Sequence, residues 1–192
     1  MTRSFMSAVL AMAFVVPLTA AAAEETYVIE PTHSQPTFEV QHMGGFSSQR
    51  GNFGKLSGKI VLDRAAKKGS IDVTIDATSI RSFSTVLDGK LKSDEFFDVG
   101  KYPTIAFKSS NLAFDGDRLV GASGDLTMLG VTKPATLKVV SFNCGEQPFN
   151  KKPMCGADAT ATIKRSEWGM NNSLKAASDE VKITIPVEAY RE

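Results

Sequence analysis

Residues 180–188 read EVKITIPVE. Val181, Ile183, Ile185 and Val187 alternate with Lys182, Thr184, Pro186 and Glu188. Successive side chains of an extended chain point to opposite faces, so this stretch is a strand with one apolar and one polar side. The same period recurs upstream. In SIDVTID, residues 70–76, Ile71, Val73 and Ile75 share a face opposite Asp72, Thr74 and Asp76. Phe38, Val40 and His42 alternate with Thr37, Glu39 and Gln41. Strands of this kind belong to antiparallel sheets with one face against a core and the other against water.

Turn residues punctuate the runs. Asp115-Gly116-Asp117 reads as a hairpin turn, and Gly44-Gly45 ends the run after His42. Eight or nine strands are expected, from candidates at about 26–30, 35–43, 50–62, 70–77, 104–113, 118–128, 133–143, 156–164 and 179–189. Gly54 and Gly58 lie inside the third, and Phe53 and Leu56 are out of phase across Gly54, which predicts a bulge. Residues 84–98 break the period: Val86, Leu87, Leu91, Phe96 and Phe97 suit short helical turns lying across one end of the structure. Apolar faces on so many long strands must meet as a sandwich or by curling into a barrel, and only closure removes the exposed edges. Strand patterning alone leaves these two evenly matched.

The chain has 192 residues, 22 Lys and Arg against 21 Asp and Glu, two His and two Cys. Its first 23 residues hold one charge, Arg3, then an apolar run from Ala8 to Val16 and a small-residue stretch ending Ala21-Ala22-Ala23. This is the pattern of a secretory signal peptide, and the run is shorter than the about 20 residues a membrane crossing needs. Residues 24–192 then form the mature domain. Losing one arginine and no acid leaves 21 charges of each sign, which argues against a nucleic-acid partner. The class indicated is a soluble, exported, single-domain protein.

Several stretches resemble the YceI-like, or polyisoprenoid-binding, family. YVIEPTHSQPTFEVQHMG, from Tyr27, is similar to the family's first two strands, with His33, Ser34, Phe38, Val40 and His42 at the expected spacing. GNFGKLSGKIVLD from Gly51, SIDVTIDATSI from Ser70 and LKSDEFFDVGKYPTIAFKS from Leu91 follow in the family's order. GDLTMLGVTKPATL from Gly124 and IKRSEWGMN from Ile163 complete the match across nearly the whole mature chain. One departure stands out. Many members carry His in a D-x-H-L pattern where this chain has Asp88-Gly89-Lys90-Leu91. The cysteine pair occurs in only part of the family.

The resemblance implies an eight-stranded antiparallel lipocalin-like barrel with an elongated apolar pore. It implies a periplasmic protein that holds a long isoprenoid chain, such as a polyprenyl phosphate or pyrophosphate or a quinone tail. Homodimers occur in the family; for this chain a homodimer and transient membrane contact are expected, and no cofactor. A strand of about ten residues tilted near 40° spans roughly 25 Å of barrel axis, so a chain of more than a few isoprene units folds back or protrudes.

Candidate pocket-lining residues follow from parity and position. They are Phe38, Val40 and Phe53; Ile71 and Val73; Phe83, Leu91, Phe96 and Phe97; Ile105 and Phe107; and Trp168 and Met170. For each, plain core packing is the competing reading. His42 shares the inward parity of Phe38 and Val40 and is a candidate head-group contact. His33, nine residues earlier, falls on the opposite face and reads as a turn residue, so no shared metal site is expected. Arg165 is a candidate partner either for Asp88 or for a ligand phosphate or carbonyl, and Lys90 a candidate cation for a head group. Cys144 and Cys155 flank CGEQPFNKKPMC in an exported chain and are expected to form a disulfide.

No nucleophile elbow, phosphate loop, zinc-protease or dinucleotide motif occurs. Asp94, Glu95 and Asp98 form an acidic group better explained by helix-start chemistry. Three functions compete: a lipid-binding protein, an enzyme acting on that lipid or a related amphiphile, and a stress-induced interaction protein whose barrel is packed solid. The presence of a continuous void separates the first from the third.

Overall fold

The computed structural model describes residues 24–192. The expected leader, residues 1–23, lies outside them. Eleven strands form one sheet: β1 (Glu25–Ile29), β2 (Thr37–His42), β3 (Ser47–Phe53), β4 (Leu56–Asp63), β5 (Lys68–Asp76), β6 (Ile80–Ser82), β7 (Thr104–Asp115), β8 (Arg118–Met128), β9 (Val131–Glu146), β10 (Pro153–Lys164) and β11 (Ala177–Arg191). One helix, α1 (Thr85–Lys92), follows β6. The strand order is β1-β4-β5-β7-β8-β9-β10-β11-β2-β3-β6, and β1 also pairs with β11, which closes the ring. Every pairing is antiparallel.

The eleven strands make eight staves. β1 and β2 both pair with β11, at Ala189–Arg191 and at Ala177–Thr184, so they are two halves of one stave. β3 and β4 are likewise halves of the next, and β5 and β6 of the one after. This is the closed eight-stranded antiparallel barrel expected from the sequence, with a short helix at one end.

The strand expected over 50–62 is corrected. The chain leaves the ladder at Gly54 and Lys55 and becomes two strands with different neighbours. The physical cause is a corner. Gly54 and Lys55 donate their N–H groups to the carbonyl and hydroxyl of Ser79, in the 3-10 turn Ala77–Ser79 that separates β5 from β6. The expected bulge does not form: the β4–β5 register runs unbroken through Gly58, whose φ of 136° is open to glycine and strained for other residues, and where an added methyl would clash with the Asp72 carbonyl. Residues 30–36 break the first stave beside these two corners.

Pro186 lies in the middle of β11, where a missing N–H would ordinarily break a ladder. Here it faces the gap between β1 and β2. Two residues on, and on the same side, the Glu188 N–H donates to the Ser34 hydroxyl at 2.9 Å, while the Glu188 carbonyl accepts from Ser34 and Glu30. A fully buried serine thus takes the place of the absent strand.

The two ends of the barrel differ. At the β1 start and β11 end, Tyr27, Leu62, Cys155 and Ala189 pack into a cluster with Phe142 and Cys144. Cys144 and Cys155 are directly opposed in the β9–β10 ladder and form the expected disulfide, Cα–Cα 4.1 Å. At the other end β6 and β7 do not pair, and α1 with the segment to Pro103 fills the opening, fastened by the Ala77 N–H to the Pro103 carbonyl at 2.8 Å. Ser84 caps α1 through the Leu87 N–H.

Candidate functional site

The inward rows of the staves enclose a cavity of about 200 Å³. It runs from Ile29 and Leu56, above the disulfide-end cluster, to Val40 and Ala177, the last inward residues before the β2–β3 turn. Along β11 this is the stretch from Val187 to Ala177, roughly 25 Å of barrel axis by strand rise and tilt. Among the described residues, Thr37 and Arg165 are the only lining residues with a polar side chain. Ile60, Val73, Ile75, Leu126, Ile183 and Ile185 face inward on their strands yet are only half-buried. An interlocked core would bury them, so the area they expose is cavity wall. The reading of a barrel packed solid is thereby corrected.

Most aromatic candidates stand where the sequence places them. Phe38, Val40, Phe53, Ile71, Val73, Leu91, Phe96, Phe97, Ile105, Phe107 and Met170 all line the cavity. At the helical end Phe53 meets Phe97 edge-on, ring centroids 5.5 Å apart, and Phe38 at 6.0 Å. Phe38 lies over Gly51, its ladder partner: a methyl there would stand 2.5 Å from both the Phe38 ring and the Arg81 carbonyl oxygen. Phe96 and Phe97 follow α1 because the Phe97 N–H returns to the Leu91 carbonyl, folding the segment back across the opening.

Other candidates are corrected. Phe83 is 95% exposed on the outer wall, because β6 ends at Ser82 and the next residue follows the outward parity of Arg81. Trp168 is buried but does not line the cavity; it packs in the cluster with Met128 and donates its indole N–H to the Leu126 carbonyl at 3.1 Å. His42 is half-buried at the end of β2, opposite Ala177, and is not among the lining residues. His33 stabilises its turn: its backbone N–H and ring Nδ1 both meet the Glu30 carboxylate, at 2.9 and 2.7 Å.

The polar candidates do not form the expected pair. Asp88 accepts from the Ser82 N–H and hydroxyl and ties α1 to β6. Ser82 holds its carboxyl below the usual carboxylate range. Lys90 makes an ion pair with Glu95 at 3.1 Å and lies 6.0 Å from the Phe96 ring centroid, outside the cavity. Arg165 is 3% exposed and reaches the cavity wall, but four of its N–H groups are taken by backbone carbonyls. Nε donates to Ser178, one Nη to Met170 and Asn172, and the other to Ala177, all at 2.8–3.0 Å. The guanidinium is the hub of the connection from β10 to β11. Burial lowers its pKa and the Asp179 carboxylate raises it.

Several lining residues escaped selection. Ala135, Leu137 and Val139 of β9, Ala159, Ala161 and Ile163 of β10, and Val181, Ile183, Ile185 and Val187 of β11 all contribute inward rows. The signal was present as period-two alternation. Aromatic size drew the selection toward the helical end instead.

The class is therefore a closed antiparallel barrel with a lipocalin-like apolar interior. The chain belongs to the YceI-like domain family, whose model matches residues 27–189. It is 35% identical over 176 residues to protein YceI of Escherichia coli O6:H1, covering 90% of each chain. Among solved structures it resembles BcnA of Burkholderia cenocepacia, TM-score 0.71, with 23% identity over 83% of this chain and 98% of that one. It also resembles a polyisoprenoid-binding domain of Saccharophagus degradans implicated in plant cell wall breakdown, TM-score 0.64, with 19% identity over 86% and 98%.

Proposed function

We propose that the protein binds the hydrocarbon chain of an isoprenoid lipid inside its barrel, as a periplasmic carrier or store, after removal of residues 1–23. The observation that carries this reading is the continuous, almost wholly apolar cavity. Family membership supports it, as does the fold shared with a polyisoprenoid-binding domain. Transfer of apolar groups from water contributes about 0.8 kcal/mol per CH₂, so a polyprenyl tail gains ample free energy without a polar contact. Ordering the chain offsets much of that gain, and realised affinities stop near about −18 to −21 kcal/mol. A cavity of about 200 Å³ is below the ~300–1,000 Å³ usual for drug-sized ligands, which favours a slender chain over a fused-ring ligand.

The polar residues sharpen the reading. Arg165 is engaged by four carbonyls and Lys90 by Glu95, so neither presents an open fork to a phosphate. The tail is the recognised part, and the head group, whether phosphate, pyrophosphate or quinone ring, stays outside the apolar cavity. No chemistry on the lipid is part of this proposal.

Native mass spectrometry of protein purified from its own host tests it. A copurified isoprenoid mass, displaced by added polyprenol, is the expected result. Protein that is repeatedly empty and takes up no polyprenol would sink the proposal.

A further inference from the structure

Among the described residues, seven large apolar side chains stand exposed, and five of them gather at the end where the cavity reaches Val40 and Ala177. Met43 and Phe46 occupy the β2–β3 turn. Leu174 lies in the connection to β11, tied to that turn by the Met43 N–H to the Ala176 carbonyl at 2.6 Å. Phe83 and Val86 mark the corner from β6 into α1. Phe46 and Phe83 are 94% and 95% exposed, so they stabilise the fold through few contacts of their own. Turns are ordinarily polar, and apolar groups concentrated at one end mark a contact surface.

Cations accompany them. The outer groove beside Phe83 contains Arg50, Arg81 and Lys182 against a single acid, Glu39. Arg50 is bonded to Glu39 at 2.6 Å, and Arg81 and Lys182 have no carboxylate within ion-pair distance among the described residues. Lys175 adjoins Leu174 and is likewise unpaired. The opposite end of the barrel is held by the Tyr27–Leu62–Cys155 cluster and the Cys144–Cys155 disulfide, whereas the apolar end is covered by α1 and the segment to Pro103.

We propose that this end docks onto a lipid bilayer carrying anionic head groups, with Phe46, Phe83 and Val86 entering the interfacial layer and Arg81, Lys175 and Lys182 facing lipid phosphates. The inference deepens the carrier reading by naming the surface on which cargo is exchanged. A bilayer fits better than a protein face because the apolar groups sit on separate projecting turns rather than on one flat area. A fluid interface accepts each independently, and basic side chains beside them add attraction to an anionic surface. The cavity end covered by α1 then faces the membrane in which an isoprenoid chain resides.

Sedimentation with vesicles tests the docking. The mature protein is mixed with vesicles of equal parts phosphatidylcholine and phosphatidylglycerol, or of phosphatidylcholine alone. Wild type should sediment with the mixed vesicles, less with the neutral ones, and less in high salt. The double variant Phe46→Ser, Phe83→Ser should partition about tenfold less while keeping its thermal midpoint, since only interfacial burial is lost. Arg81→Gln with Lys182→Gln should abolish the preference for anionic vesicles. Wild type that stays in the supernatant overturns the inference, as does a double variant that sediments like wild type. So does a double variant whose only change is conversion of a dimer to a monomer, which would assign the patch to a second copy. An interior-blocking variant, Ala161→Phe, separates this from the carrier reading: it should lose polyprenol uptake yet still sediment with vesicles.

Discussion

Arg165 illustrates how one side chain can be legible by type and illegible by role. Arginine near a pore end suggests an oxyanion ligand, because its planar fork matches phosphate. The fold instead turns it on the carbonyls of Met170 and Asn172 in the β10–β11 connection and of Ala177 and Ser178 at the start of β11. Arg165→Met should therefore lower stability by about 3 kcal/mol or more in urea titration, since buried carbonyls lose their donors. It should also weaken a polyprenyl phosphate and the corresponding alcohol equally. Selective loss of the phosphate would restore the head-group role. Phe83 is the converse case: its size suggested the pocket, and a strand ending one residue earlier left it outside. Where a strand stops depends on its neighbours, which residue-level patterning does not contain.

At the scale of elements, the line of corners through residues 30–36, 54–55 and 77–79 turns three staves at one level of the barrel. The first corner is held by Glu30. Burial raises its carboxyl pKa, but hydrogen bonds from Thr32 and His33 outweigh this and lower it from 4.5 to about 2. A carboxyl depressed in the folded state contributes stability that is present above its unfolded value and lost as pH falls through the folded one. Wild type should accordingly lose stability between about pH 4.5 and 2, and Glu30→Gln should be less stable at neutral pH with a flatter acid limb. Superimposable pH profiles in urea denaturation would remove Glu30 from the account. The sequence signalled these corners unevenly. The phase slip between Phe53 and Leu56 marked the second, and the turn reading of His33 the first. The third was invisible, because Ala77–Ser79 breaks its stave to receive N–H groups from the β3–β4 corner, 24 residues away in sequence for Lys55.

For the whole molecule, the deciding feature is that inward side chains meet around a void instead of interlocking. Alanines at 135, 159, 161 and 177 leave room that larger residues would fill. Ala161→Phe should cut polyprenol binding at least about tenfold with stability unchanged or raised, since a filled cavity gains contacts while the ligand loses its path. Binding that survives would place the lipid elsewhere. Strand parity, turn positions, the helical interruption and the cysteine pair were all readable along the chain, because each is set by near neighbours and a period of two. Barrel closure was reached through family resemblance, since patterning left a sandwich equally open. The tertiary structure alone decided that β1 returns to β11, which groups Arg165 spends its hydrogen bonds on, and whether the middle is empty. Those depend on how facing rows from distant strands sum in volume around the axis, a quantity that no single stretch of sequence carries.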